Sequence, residues 1–155
     1  RFLAALGTIM KANSVLEVGT YTGLSSLSLK TVVPNVLTND VVPWENILGT
    51  ALRPLDFGTG MRQVVCDLSD PKLFHSYRDE LLAADFIFVD GPKDGFYEEK
   101  LENLLSELLS GTGKIVVWDD IRVMTMVGFW RSINVPKIDA TSLGHWSGTG
   151  ITQYV

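Results

Sequence analysis

The chain has 155 residues, a length that fits one domain with a single substantial core. Its formal charge of −5 argues against nonspecific attraction to nucleic-acid phosphates, and the absence of an apolar run of about 18 residues argues against a membrane span. The single cysteine, Cys66, has no internal partner for a disulfide, and Val64 and Val65 beside it point to a buried structural thiol. Arg1–Lys11 lacks the small-residue cleavage pattern of a signal peptide, so the cytoplasm is the expected compartment. The chain opens on Arg1 inside a helical pattern, which implies a segment ahead of it.

Phe2, Leu3, Leu6, Ile9 and Met10 fall at helical spacing and predict a helix over residues 1–12. Ser14–Val18 reads as a short buried strand, followed by a glycine-bearing turn and a helix over Leu24–Val33. Asn35–Asp40 gives a second strand. Pro43–Leu55 reads as a helix, with Pro43 suited to its first turn. The turn Gly58-Thr59-Gly60 leads into a third strand, Arg62–Cys66. Ser69–Ala83 looks helical, and Asp85–Asp90 gives a fourth strand. Tyr97–Leu109 is a periodic helix whose leucines form a core stripe. Gly111-Thr112-Gly113 turns the chain into Lys114–Trp118, and a helix over Val123–Ile133 precedes two strands near Ile138–Ser142 and Gly150–Val155.

Strands alternating with helices imply right-handed βαβ units and a parallel sheet. The loop Leu143–Thr149 is too short for a helical crossover, so the last two strands should pair antiparallel. The expected fold is a single α/β domain: a Rossmann-like, doubly wound, mostly parallel sheet with a C-terminal antiparallel hairpin strand. Ligands of such sheets sit at the carboxyl ends of the strands.

Glu17-Val-Gly19-Thr20-Tyr21-Thr-Gly23 ends the first strand and opens a helix. Gly19 permits a tight turn, and Gly23 lets the helix start close to strand and ligand. The spacing is G-x-x-x-G, unlike the G-x-G-x-x-G that brings amides onto a pyrophosphate, and it favours a cofactor without a diphosphate. Asp40 ends the second strand, where a carboxylate can accept from both ribose hydroxyls or serve as a turn or cap residue. Asp67 ends the third strand and can approach an adenine amino group or cap the next helix. Trp44 can pack on adenine or ribose, or belong to the core.

The run Val15-Leu-Glu-Val-Gly-Thr-Tyr-Thr-Gly-Leu-Ser25-Ser resembles motif I of small-molecule O-methyltransferases of the catechol and caffeoyl-coenzyme A type, within the class I S-adenosylmethionine-dependent methyltransferases. The resemblance implies that Glu17 and Gly19 line the methionine part of S-adenosylmethionine, that Ser25 contacts its carboxylate and that Asp40 holds its ribose. The expected cofactor-binding set is Glu17, Gly19, Thr20, Tyr21, Gly23, Ser25, Asp40, Trp44, Asp67 and Asp90.

Three carboxylates, Asp90, Asp119 and Asp120, gather at the ends of the fourth and fifth strands and need a cation or donors to offset them. Oxygen ligands of this kind suit Mg²⁺, which would acidify a bound hydroxyl. Lys93, beside them, is the candidate base if its pKa is lowered. In the metal-dependent relatives an aspartate is followed three residues later by a lysine and then an aspartate, and Asp90, Lys93 and Asp94 match. Their Asp-Asn pair is Asp119-Asp120 here, a departure that keeps the oxygen chemistry. The resemblance thus implies Asp90, Asp119 and Asp120 as metal ligands and Lys93 as the base, and the expected catalytic residues are Lys93 and Asp90. The Gly91-Pro92 pair departs from the bulkier residues usual there. Such carboxylates also occur in metal-independent relatives, where they hold cofactor, substrate or a helix N-terminus.

His145 and Trp146 lie in a glycine-rich loop, as a proton carrier and a stacking surface or as parts of a plain hairpin. His75 reads as structural or exposed. The expected activity is methyl transfer to an oxygen of a small-molecule acceptor with Mg²⁺ assistance, with metal-independent transfer to a sugar, amine or natural product as the alternative. The rival is a noncatalytic cofactor-binding domain. Neither nucleic acid nor membrane is expected as a partner, and a homodimer stays open.

Overall fold

Phe86, Ile87, Phe88 and Val89 alternate between the two faces of one strand, and every one of them is buried. Phe86 and Phe88 join one hydrophobic cluster; Ile87 and Val89 join the other. A strand covered on both faces needs helices on both faces, which is the demand of a parallel sheet. In this computed structural model, which describes residues 1–58 and 60–155, that demand is met.

The strands are β1 (Ser14–Val18), β2 (Asn35–Asp40), β3 (Met61–Val65), β4 (Phe86–Val89), β5 (Lys114–Asp119), β6 (Lys137–Asp139) and β7 (Thr149–Tyr154). The helices are α1 (Phe2–Met10), α2 (Leu24–Lys30), α3 (Pro71–Ser76), α4 (Arg78–Ala83), α5 (Phe96–Leu109) and α6 (Met124–Ser132). Sheet order is β3-β2-β1-β4-β5-β7-β6, parallel from β3 to β5. β7 runs antiparallel to both β5 and β6, so one strand is reversed, as the short last loop requires. The order of strands turns back between β1 and β4, and a crevice opens at such a point.

Phe2, Leu3 and Leu6 of α1 and Leu27 and Leu29 of α2 pack on the face carrying Val15, Phe86 and Val117. Leu101, Leu105 and Leu109 of α5, fully buried, cover the face carrying Leu16, Ile87 and Trp118, together with Phe129 of α6. The Trp118 and Phe129 rings meet edge to face at 5.0 Å.

The structure corrects three expected elements. No helix spans Pro43–Leu55: two short 3₁₀ turns, Trp44–Asn46 and Pro54–Phe57, take its place. Gly49 between them has φ 77, and Arg53, constrained by Pro54, is extended. Ser69–Ala83 starts only at Pro71 and breaks at Tyr77 into α3 and α4. The helix expected to reach Val33 stops at Lys30, short of Pro34. In the turn expected over Gly58-Thr59-Gly60, Thr59 lies outside the described residues. Among the described residues no helix is long and apolar enough to cross a membrane.

Candidate active site

β1 delivers Glu17 to the face that carries Val15, toward α2. Its side chain is fully buried. Oε2 accepts the Ser26 hydroxyl and, at 2.7 Å, the Thr38 hydroxyl, while Oε1 has no hydrogen-bond partner. Burial pushes this carboxyl up to about 7; the hydroxyls of Ser25, Ser26 and Thr38 work the other way and nearby Asp90 adds to the rise. A buried acceptor left unpaired is costly unless a donor arrives. Ser26 and Thr38 escaped the sequence reading, because a hydroxyl on the buried side of a helix or strand carries no pattern of its own.

Gly19 has φ 101, and a Cβ there would run into the Asp90 carbonyl, so the first turn and the end of β4 touch backbone to backbone. Asp40 secures the same turn from β2: Oδ2 accepts from Tyr21 N at 2.9 Å and Oδ1 from Val42 N at 3.1 Å. Between these strand ends lies a cleft of about 420 Å³, walled by Gly19, Tyr21, Asp40, Asp67, Asp90 and Tyr97.

Five of the ten expected cofactor residues therefore share this cleft. Thr20 is buried beneath it, bonded to Thr38 at 2.7 Å and to Gln63 at 3.1 Å. Gly23 and Ser25 lie at the start of α2 and Glu17 on β1, all three outside the cleft walls. Trp44 is turned away: its ring stacks on Phe57 at 5.1 Å within the core contact of the first 3₁₀ turn. Asp67 does not cap α3. That task falls to Asp70, which accepts from Lys72 N and Leu73 N, while Asp67 Oδ1 holds Ser69. Cys66, half-buried beside Asn39, has its thiol pushed up by burial. Tyr97 was missed because only the leucines of its helix follow the core stripe.

Lys93, which also lines the cleft, has φ 65, and its ammonium stands among three carboxylates. It pairs with Asp90, lies 3.0 Å from Asp120 Oδ2 and 3.9 Å from Asp119 Oδ2. Glu98, fully buried, fixes the loop by accepting from Lys93 N at 3.0 Å and Gly95 N at 2.9 Å. Asp94 accepts from Phe96 N and Tyr97 N and so caps α5. The expectation of a lowered lysine pKa is overturned. Burial alone would lower it, but Asp90, Asp119 and Asp120 outweigh burial and raise it. An ammonium has no lone pair, so in this arrangement Lys93 balances charge and is not poised as a base.

Asp119 is pushed up to about 6 by burial first and by Asp90 next, against the pull of Lys93. Burial also acts on Asp120, yet the Ser147 hydroxyl and Lys93 hold it below the usual carboxylate range. His145, from the loop between β6 and β7, reaches this cluster, whereas His75 is exposed on α3. Ligand atoms of Asp119, Asp120 and His145 all lie within 4.8 Å of one another; Asp90 is not in this group. The donor chemistry of that trio fits a divalent cation.

Solved structures share this fold over 99% of the chain. The methyltransferase PaMTH1 of Podospora anserina, with SAH bound, aligns at a TM-score of 0.68 and 15% identity over 76% of its own length. A Staphylococcus aureus protein provisionally assigned as a caffeoyl-CoA O-methyltransferase aligns at 0.70 and 16% identity over 81% of its length. An O-methyltransferase of Bacillus cereus, in complex with SAH, aligns at 0.65 and 18% identity over 79% of its length. The fold is that of the class I methyltransferases. Neither a protein-family model nor a curated protein sequence matches the chain. Within the class I methyltransferase fold, the cleft occupies the turn-back point of the sheet, and the Lys93 cluster flanks it at the ends of β4 and β5.

Proposed function

We propose that the chain is an S-adenosylmethionine-dependent methyltransferase that methylates an oxygen of a small molecule. The observation that carries this reading is the cleft joining Gly19, Asp40 and Asp67 to Asp90, one wall from each of the four adjoining strand ends. It supplies a glycine turn without pyrophosphate spacing and a carboxylate at the ribose position. Similar folds with SAH bound support the choice of ligand. Glu17, Ser25 and the turn at Gly19 would face the methionine part, and Asp67 the adenine.

In the transfer, the acceptor oxygen bonds to the methyl carbon as the carbon–sulfur bond breaks, and the bonding pair stays on sulfur. The acceptor hydroxyl proton passes to a carboxylate of the cluster, and Asp119, pushed up to about 6 by burial, is the one suited to take it before releasing it to water. A divalent ion held by carboxylates of this cluster would supply Lewis acidity toward that hydroxyl. Asp90, at the junction of cleft and cluster, orients the two reactants. Lys93 keeps the carboxylates together and holds its positive charge next to the reacting oxygens.

Titration calorimetry with S-adenosylhomocysteine, with and without Mg²⁺, tests the reading. Micromolar binding in either condition supports it, and no binding in both removes it. A second reading, metal-independent transfer, is favoured by one observation: Lys93 already offsets the carboxylates. Full activity in chelator would select it. A noncatalytic cofactor-binding domain would bind the ligand with no turnover for any acceptor.

A further inference from the structure

A ligand with a flat base needs an apolar surface in the cleft. Trp44, one expected contact, is turned away onto Phe57. Gly91, which lines the cleft at the end of β4, has no side chain to present. The space beside Gly91 is nevertheless filled. A methyl group there would stand 3.1 Å from both Cδ1 and Cε1 of the Tyr97 ring, closer than the roughly 3.5 Å at which carbon atoms ordinarily meet. The Tyr97 ring therefore stands where a side chain of residue 91 would have to go.

Tyr97 reaches this place from the first turn of α5, and two carboxylates fix that turn. Asp94 accepts the Tyr97 N–H at 2.9 Å, and Glu98 accepts from Lys93 N and Gly95 N. Part of the side chain packs against the core beneath α5, and the rest lines the cleft. Burial first, and then the charge of Asp67, pushes its phenol up, so the ring enters no ion pair and stays neutral. Asp67 is the carboxylate on the adenine side, which puts Tyr97 between the ends of β3 and β4.

Among the described residues, Tyr21 is the other aromatic that lines the cleft, and it is placed differently. It is 69% exposed, and its backbone N–H goes to Asp40, at the ribose position. A solvent-free ring already held by its surroundings loses less freedom on binding than an exposed one.

We propose that Tyr97 is the base-binding residue of this cleft: its ring packs against the adenine of S-adenosylmethionine, beside Asp67, in the space that Gly91 leaves open. The contact comes from one turn into α5 and not from the end of β4 itself. Every base has a π face, so the ring holds the base without reading its edge, and the reading falls to Asp67. The inference rests on the proposed function for the identity of the ligand.

The experiment is titration calorimetry of the unaltered, Tyr97→Phe and Tyr97→Leu chains with S-adenosylhomocysteine, joined to nuclear Overhauser measurements on the ligand bound to the unaltered protein. Leucine keeps apolar packing on the core but removes the ring. Tyr97→Leu should weaken binding roughly 5- to 100-fold, the range of base–aromatic contacts, and Tyr97→Phe should leave it nearly unchanged. Adenine H2 or H8 should give cross-peaks to the ring protons of Tyr97, a result that needs no variant. Three outcomes would overturn the inference and leave the methyltransferase reading standing: Tyr97→Leu binding as tightly as the unaltered chain, Tyr97→Phe binding as weakly as Tyr97→Leu, or adenine cross-peaks to Tyr21 or Trp44 in place of Tyr97. Absence of binding to the unaltered chain would remove both.

Discussion

Lys93 and Asp120 both adopt left-handed backbone, with φ 65 and φ 60, and their side chains meet at 3.0 Å. Non-glycine residues in that region carry a cost of order 1 kcal/mol or more, and they persist where surroundings hold them. Here Glu98 holds the Lys93 amide and Ser147 holds the Asp120 carboxylate. The two strained positions are what turn a lysine of the β4–α5 loop toward the carboxylates of β5.

That pairing predicts the behaviour of Lys93→Met. Removing the ammonium leaves Asp90, Asp119 and Asp120 facing one another in a half-buried cluster. Breaking a paired, partly buried charge typically costs a few kcal/mol, so a loss on the order of 2 kcal/mol is expected at pH 8. At pH 5 protonation of Asp119, whose pKa is already about 6, relieves the repulsion. Urea unfolding at both pH values checks this. An equal loss at pH 5 and pH 8 would show that Lys93 acts through packing and not through charge.

Glu17 makes the chain's stability depend on pH in the opposite sense to an ordinary ion-paired carboxylate. Its folded-state value, about 7, lies above the ordinary 4.5, so the native state keeps a proton that the unfolded chain has lost. Its contribution is complete below pH 4.5, declines as pH rises toward 7 and is gone above that. The total is on the order of 3 kcal/mol, at about 1.4 kcal/mol per unit. Glu17→Gln should flatten this decline whatever it does to absolute stability. Unfolding curves at pH 5 and pH 8 for the two proteins give the comparison, and parallel slopes would count against a protonated Glu17.

Gly19→Ala and Gly23→Ala are predicted to differ, although both positions have positive φ. A methyl group at Gly19 meets the Asp90 carbonyl, part of the backbone, whereas at Gly23 it meets the side chain of Leu52, which can rotate. Gly19→Ala should abolish S-adenosylhomocysteine binding and lower the melting temperature more. Gly23→Ala should retain measurable binding. Reversed order in a melting and titration series would mean that the turn tolerates separation of β1 from β4.

Sequence pattern carries the sheet further than it carries the site. β1 and β2 match the expected spans to the residue, because each is short and bounded closely on both sides, β1 by Asn13 and Gly19 and β2 by Pro34 and Pro43. The segment from Pro43 to Phe57 misleads because it has helix-forming residues but nothing for Leu48, 97% exposed, to pack against. The carboxylates of β4 and β5 are legible as strand-end residues. That Lys93 enters among them depends on a left-handed turn that no spacing signals. His145 lies on another loop altogether, and only the antiparallel pairing of β5 with β7 brings that loop to Asp120.

Asp40 provides the sharpest test of the cofactor reading. Each of its oxygens already takes one backbone N–H, from Tyr21 and from Val42, and each carboxylate oxygen has capacity for a second donor. The ribose hydroxyls are the donors that the cleft would present there. Hydrogen bonds to a charged group contribute about 1.5–3 kcal/mol, so Asp40→Asn should weaken S-adenosylhomocysteine binding roughly 10- to 100-fold. A 2′-deoxy analogue separates this from collapse of the turn. The unaltered protein should bind the analogue about as weakly as Asp40→Asn binds the parent ligand, and Asp40→Asn should hardly distinguish the two. If the variant discriminates ribose from deoxyribose as strongly as the unaltered protein does, Asp40 serves the turn alone and the ribose is held elsewhere.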